Sequence, residues 1–355
     1  MRDNEVNFKP WKGDFCFLCD SNHKVCDVLN FENITNLITE LSNQILYLDE
    51  GCYCLAYPDM AMCKEEIKRC KRLYKGFSEA EPFIEAVCDA VERFFKDNAV
   101  EVLPVFDAEE AEEKIRKGES VRIAPSMDPV IAIGLLKAIS KATTKANPDL
   151  KNTLKELNSR YDQFLDAHTG QVTKDDLTSL RDSLIKDNVL EKDLATFLFS
   201  FLLSSLYRQQ LDSISEVLRT DLWEGGDCPL CGVKPHYGLL TQEEGKKQLD
   251  CWLCGTVWEH TRIKCPYCNN SDHERLGYFT LEDNENCRVN FCQDCCQYYK
   301  IFDTRKFHAD GKVVLSIHNL ATLNLDLMAR KEGFTPGSGL EWVNDSELEK
   351  LDRQN

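Results

Sequence analysis

The sequence predicts an α + small β protein: an N-terminal all-α helical domain followed by a tandem four-cysteine metal domain. Three observations predict it. Apolar residues recur at helical spacing through most of residues 77 to 219. The composition changes abruptly at Gly225-Gly226. Beyond that point, four Cys-x-x-Cys knuckles fall within 68 residues. The division that follows is a Cys-rich N-terminal extension (1–76), an α-helical domain (77–224), a tandem metal-binding domain (225–316), and a C-terminal helix and tail (317–355).

Ile34, Leu37, Ile38, Leu41, Ile45 and Leu48 follow helical spacing within the extension, with Gly51 placed to close that helix. Ser78 followed by Glu81 has the form of a capping box and predicts a helix start. The helix carries Phe83, Val87, Val91 and Phe94 to an end near Asn98. The acidic run Glu109 to Glu113 reads as a solvated helix face. Asp128-Pro129 opens another helix, since proline in the first turn loses no hydrogen bond, and Asn147-Pro148 breaks it. Leu150, Leu154, Leu157, Tyr161 and Phe164 mark the next helix, and residues 175 to 187 a shorter one. The stretch from Asp193 to Arg219 reads as a long buried helix; its apolar run, LATFLFSFLLSSLY, is too short to span a membrane. After Asp227 the text is short strands and turns, with GYFTL and RVNF strand-like, until a last helix from Leu320 to Glu332 stops at Gly333.

Composition narrows the function. Apolar residues at 43% and charged residues at 29% are globular values. A net charge of −17 excludes a broadly basic face for nucleic acid. Residues 227–315 hold 11 Lys/Arg against 13 Asp/Glu, so the knuckle region by itself also lacks that face. The first residues contain no continuous apolar stretch of signal-peptide type, so a cytoplasmic protein without membrane insertion is expected. Eighteen cysteines in a reducing compartment read as metal thiolates or redox thiols rather than disulfides.

The metal ligand candidates are Cys228 and Cys231, Cys251 and Cys254, Cys265 and Cys268, and Cys292 and Cys295. A knuckle turns back on itself so that both sulfurs reach one ion. The residue after it often needs positive φ, so that backbone N–H groups can point at the thiolates. Gly232 and Gly255 supply that conformation, Asn269 tolerates it, and Cys296 holds the fourth such position. Nineteen residues separate the first two knuckles and 23 the last two, which pairs one with two and three with four. Each pair would join two short hairpins in a rubredoxin-like (zinc-ribbon-like) fold. Tetrathiolate sites take zinc or iron, and spacing alone favours structural zinc.

The stretch CWLCGTVWEHTRIKCPYC (251–268), in which Trp258, Arg262 and Lys264 follow a knuckle, resembles the formate dehydrogenase accessory protein (FdhE) family. CPLCG before it, and CQDCCQYYKI and LATLNLDLMARKEGF after it, are similar to that family in the same order, over residues 227 to 334. The resemblance implies two rubredoxin-like iron sites behind a helical domain. It also implies a role in enzyme maturation, through contact with the formate dehydrogenase catalytic subunit in the cytoplasm. Iron then replaces zinc as the expected occupant, and Arg262 and Lys264 become candidate client contacts. Cys296 and the Cys-rich N-terminus depart from the family pattern.

Other signals are weaker. Cys16, Cys19, His23 and Cys26 are a possible additional metal site, which Cys52, Cys54, Cys63 and Cys70 would complete or beside which they would form another; buried or free thiols account for them equally. Cys88 reads as packing, Cys287 as a free thiol, Trp252 and Trp258 as core, and His260 and His273 as surface histidines. No P-loop, dinucleotide fingerprint or Ser-His-Asp pattern is evident, so no catalytic residues are assigned and no enzyme activity is expected. The competing functions are a rubredoxin-type electron carrier and a structural zinc-ribbon protein-binding module.

Overall fold

The computed structural model describes residues 60–74, 77–98, 107–123, 126–146, 150–214, 219–241, 245–281, 284–306 and 313–337. The helix expected over 33 to 48, and Cys16, Cys19, His23, Cys26, Cys52 and Cys54, lie outside the described residues.

Seven helices come first: α1 (Met60–Leu73), α2 (Phe77–Asp97), α3 (Ala108–Arg116), α4 (Pro129–Ala146), α5 (Lys151–Ala167), α6 (Lys174–Lys186) and α7 (Lys192–Ile214). Helix α1 lies where no helix was expected, and it explains Cys63 and Cys70. With Ile67 and Tyr74 they form one buried stripe at helical spacing, as packing groups do, and among the described residues neither joins a metal cluster. Helix α2 starts at Phe77, so Ser78 is its second residue rather than its cap. The chain turns into it through a Tyr74 carbonyl that accepts from Phe77 N (3.4 Å), and the Phe77 ring is buried. Cys88 is also buried, in the α2 stripe with Val87 and Val91.

Helix α3 is capped by Asp107, which accepts from the N–H of Glu109 and Glu110. It carries the solvated acidic face, paired at i,i+4 through Glu110–Lys114, Glu112–Arg116 and Glu113–Lys117. Asp128 accepts from Val130 N (2.7 Å) at the start of α4, and Thr173 with Asp176 closes a capping box on α6. Helix α7 is buried along most of its length and packs against α4 and α6, as an apolar helix without a polar face must.

The sheet follows: β1 (Tyr237–Thr241), β2 (Lys246–Asp250), β3 (Val257–Glu259), β4 (Leu276–Leu281), β5 (Asn284–Cys292), β6 (Gln297–Asp303) and β7 (Thr335–Pro336). Its order is β3-β2-β1-β6-β5-β4, with β7 beside the start of β6. Each half is an antiparallel three-stranded meander, and the halves join where β1 runs parallel to β6. The first half reads knuckle, β1, β2, knuckle, β3; the second reads knuckle, β4, β5, knuckle, β6. The duplicated module suggested by the paired knuckles is therefore a duplicated topology.

The C-terminal helix is two helices, α8 (Leu315–Ala321) and α9 (Leu323–Lys331), broken at Thr322. The cause is Lys300 of β6. Its buried ammonium bonds the Asn319 carbonyl (2.8 Å) and Thr322 Oγ1 (3.2 Å), and it pairs with Asp326 (2.5 Å). The carbonyls freed by the break thus find a cation. A second buried cluster ties α8 to α1, where His318 Nε2 meets Glu66 (2.8 Å) and Nδ1 meets the Tyr74 hydroxyl (2.7 Å). One continuous apolar core runs from these helices into the sheet.

Candidate metal centres

The sulfurs of Cys228, Cys231, Cys251 and Cys254 lie within 4.8 Å of one another, and so do those of Cys265, Cys268, Cys292 and Cys295. In the first cluster Cys228 and Cys254 are 3.5 Å apart, and Cys231 and Cys251 3.4 Å. In the second, Cys265 to Cys295 and Cys268 to Cys292 are both 3.7 Å. A tetrahedron of sulfurs about 2.3 Å from an ion has edges of about 3.8 Å. A disulfide would bring two of them to about 2.05 Å. The donor sets fit a tetrahedral zinc or iron ion.

Each knuckle is held by its own backbone. Gly232, Gly255 and Asn269 sit at φ of 77, 75 and 61°, and each donates its N–H to the carbonyl of the first cysteine of its knuckle, at 2.8 to 3.1 Å. Cys296 takes the fourth position at φ 56°. Its carbonyl accepts from Thr335 N of β7 (2.8 Å), which holds the residue in place. The Cys296 thiol is exposed and outside the cluster, and its sulfur contacts the Gln293 carbonyl at 3.6 Å.

N–H groups and one hydroxyl aim at the sulfurs. Cys254 N approaches Cys251 Sγ (3.4 Å), Tyr267 N approaches Cys265 Sγ (3.4 Å), and Thr256 Oγ1 lies 3.1 Å from Cys254 Sγ. In the metal-free chain, burial pushes the Cys231 and Cys251 thiols well above the ordinary range. Burial acts the same way on Cys254, but bonds from Cys228, Cys231, Cys251 and Thr256 outweigh it and hold that thiol well below. Burial lifts Cys265 to about 11 and raises Cys295, whereas Cys292 falls because backbone N–H groups of Cys295 and Asp294 outweigh its burial.

The clusters differ in their surroundings. The first is enclosed by the helical part. Val121 N and Ile123 N donate to the carbonyls of Pro229 and Leu230 (2.8 and 3.1 Å), and Ser204 and Arg208 of α7 donate to those of Trp252 and Cys251 (3.1 and 3.3 Å). Cys228, Cys251 and Cys254 are fully buried. No spacing or composition signal marks Val121, Ile123, Ser204 or Arg208, because they act through backbone carbonyls across long sequence distances. The second cluster keeps Cys268 at the surface.

Trp252 and Trp258 are core side chains. Cys287 is buried and free, and His273 is exposed. His260 corrects the expectation of a surface histidine: it is 7% exposed, with Nδ1 3.1 Å from the Thr261 carbonyl, because its N–H bonds the Lys247 carbonyl and draws it under the sheet edge. Arg262 is exposed and Lys264 half-buried, on the segment leading into the third knuckle.

Helical domain, duplicated knuckle meander and paired four-sulfur clusters together define a protein with a tandem metal-binding module of rubredoxin-like type. The sequence model described as "FdhE, C-terminal domain" matches residues 263–340. A protein FdhE homolog of Aquifex aeolicus is 31% identical over 170 residues, 47% of this chain and 58% of that one. One of Enterobacter sp. is 36% identical over 156 residues, 42% of this chain and 48% of that one. The crystal structure of the FdhE protein from Pseudomonas aeruginosa shares the fold at a TM-score of 0.54 and 20% identity, covering 80% of this chain and 96% of that one. Residues 263–340 are thus similar to the C-terminal domain of the FdhE family, and the fold as a whole is shared with one of its members. It spans about half the length of the curated relatives it matches.

Proposed function

We propose that this protein is an accessory factor in the production of active formate dehydrogenase, that it binds the catalytic subunit of that enzyme in the cytoplasm, and that it is not itself an enzyme. The reading rests on the similarity to the FdhE family and on one observation: two complete four-sulfur donor sets, each with all its sulfurs within 4.8 Å of one another, built into a duplicated module. Cys228, Cys231, Cys251 and Cys254 would hold one ion, and Cys265, Cys268, Cys292 and Cys295 the other. We assign iron to both sites. Bound in four thiolates, iron exchanges one electron without changing its ligands. The chain's part is to hold the sulfurs, aim backbone N–H groups at them and exclude water from the first site. Arg262 and Lys264 would contact the client. Among the described residues, no helix is long and apolar enough to cross a membrane.

The test is to purify the chain from cells grown with ample iron, measure its metals, and use it to capture a formate dehydrogenase catalytic subunit. Two irons per chain, with thiolate-to-iron absorption that bleaches under dithionite, and capture of the subunit support the proposal. Zinc alone, with capture intact, would make the sites structural and leave client binding as the function. Capture of a reductase in place of the subunit would favour the electron carrier, a reading to which the exposed Cys268 lends support.

A further inference from the structure

Cross-strand register places Lys247 of β2, Tyr299 of β6, Arg288 of β5 and Tyr278 of β4 on one face of the sheet; α8 and α9 meet the other. The segment 261–268 crosses this face. Lys247 Nζ donates to the Lys264 carbonyl (3.1 Å) and the Tyr299 hydroxyl (3.2 Å), and the Tyr267 and Tyr299 rings meet edge to face at 5.9 Å. Lys247 is 2% exposed, and the Arg288 guanidinium stacks on Tyr278 at 4.7 Å. Lys247, Arg262, Lys264 and Arg288 therefore converge beside the second cluster in a chain whose net charge is −17.

This concentration of charge has no carboxylate partner of its own. Among the described residues, no carboxylate lies within ion-pair distance of any of the four. Asp303, which acts on Arg288 at longer range, is already gripped by Arg305 through two bonds of 2.7 Å. Arg288 Nε is buried without an acceptor. Burial first, with Arg288 and Lys264 adding to it and Cys265 opposing it, pushes Lys247 down to about 7. A buried donor without a partner and a group of like charges are both destabilising in the free protein, and a docked anion would remove both penalties. Ile263, between Arg262 and Lys264, is 50% exposed and Tyr278 41%. Apolar and aromatic groups among cations suit a polypeptide better than a small anion.

We propose that this face docks an acidic segment of a protein partner, with carboxylates paired to Arg262, Lys264 and Arg288 and apolar side chains set on Ile263 and Tyr278. The proposal deepens the client-binding reading above and rests on it. It assigns contact with the partner to the second cluster's surroundings, while the first cluster locks sheet to helices.

The experiment uses the intact metal-loaded chain and two probes, a short fluorescein-labelled peptide of repeating Glu-Glu-Leu and a purified formate dehydrogenase catalytic subunit. The variants are the pair Arg262→Glu with Lys264→Glu, the first exposed and the second half-buried, and separately Arg288→Gln. Lys186→Glu, on the helical part, is the control, and unchanged metal content verifies folding. We expect saturable peptide binding that weakens about tenfold or more in both test variants and in about 0.5 M salt, and is unchanged in the control. Parallel loss of the catalytic subunit would confirm the face as the client site. Peptide loss with no binding of that subunit by the unmodified chain would keep the acidic dock and overturn the client. Peptide binding that ignores the variants, or an oligonucleotide of equal charge that binds more tightly, would overturn the proposal.

Discussion

Replacing Lys300 by methionine tests whether the C-terminal helices are held on the sheet by one buried cation. The side chain is 1% exposed and that of Asp326 is 11% exposed. Three N–H groups serve Asp326, the Asn319 carbonyl and Thr322 Oγ1, while Asp326 accepts a further bond from the Tyr298 hydroxyl (2.9 Å). Methionine fills the stem but leaves a buried carboxylate with one donor, and leaves the Asn319 carbonyl only the longer bonds from Thr322 N (3.4 Å) and Oγ1 (3.3 Å). Breaking a buried, hydrogen-bonded pair from one side costs about 3–5 kcal/mol. Asp326→Leu should cost about as much by stranding the ammonium. The double variant should fall short of the sum by about 1–3 kcal/mol, since neither charge is then left alone. The assay is urea unfolding of the metal-loaded chain followed by tryptophan fluorescence, with Trp252 and Trp258 reporting on the sheet. A Lys300→Met effect below about 1 kcal/mol, or strict additivity in the cycle, would refute the assignment.

Burial holds the His236 imidazole down at about 4, below its ordinary 6.5, so as the pH drops the unfolded chain takes up that proton first. Between pH 6.5 and about 4 this histidine therefore removes about 1.4 kcal/mol of stability per pH unit, and His236→Gln should flatten the slope of melting temperature against pH. Gly226→Ala sets a Cβ 2.0 Å from the Pro266 carbonyl oxygen, forcing the first and third knuckles apart; a destabilisation of about 1–3 kcal/mol is expected, and an unchanged melt would show that the chain yields there. With zinc in both clusters, a chelator should strip the second at least about ten times faster than the first, whose sulfurs lie beneath α7; equal rates would contradict the difference in enclosure. Cys296→Gly relieves a positive-φ side chain and should leave metal content intact while stabilising the fold by up to about 1 kcal/mol; loss of metal from the second cluster would instead make Cys296 a ligand.

What the sequence made legible follows the range over which each signal acts. Knuckle pairing was readable because gaps of 19 and 23 residues suit a four-cysteine ribbon, and the four positive-φ positions because turn geometry is confined to five or six residues. The start of α4 at Asp128-Pro129 and the buried α7 were readable for the same reason. Helix α1 escaped because Cys63 and Cys70 were weighed as thiols rather than counted as apolar residues at i and i+7, although the stripe with Ile67 and Tyr74 was present. The break at Thr322 was not legible at all. Periodicity continues across it, and the lysine that opens it stands 22 residues earlier, on a strand. His260 failed similarly, because its burial is decided by a cross-strand partner at Lys247.

The duplication shows why ligand sets alone carry so little functional information. Both halves repeat one order of knuckles and strands, and both place a residue at positive φ after every knuckle. On ligands they are equivalent. They diverge in what the rest of the chain lays against them. Carbonyls of the first half's knuckles are taken up by Val121, Ile123, Ser204 and Arg208, so metal there also fixes the join between sheet and helices. The second half gives its knuckle region mostly its own polar groups, with Asn270 Nδ2 bonded to Asp294 (2.7 Å) and Arg275 to the same carboxylate (2.7 Å). Loss or exchange of an ion there is expected to leave the helical core unloosened. On the proposed client-binding reading, the two demands of staying folded and meeting a partner would be divided between the two sites.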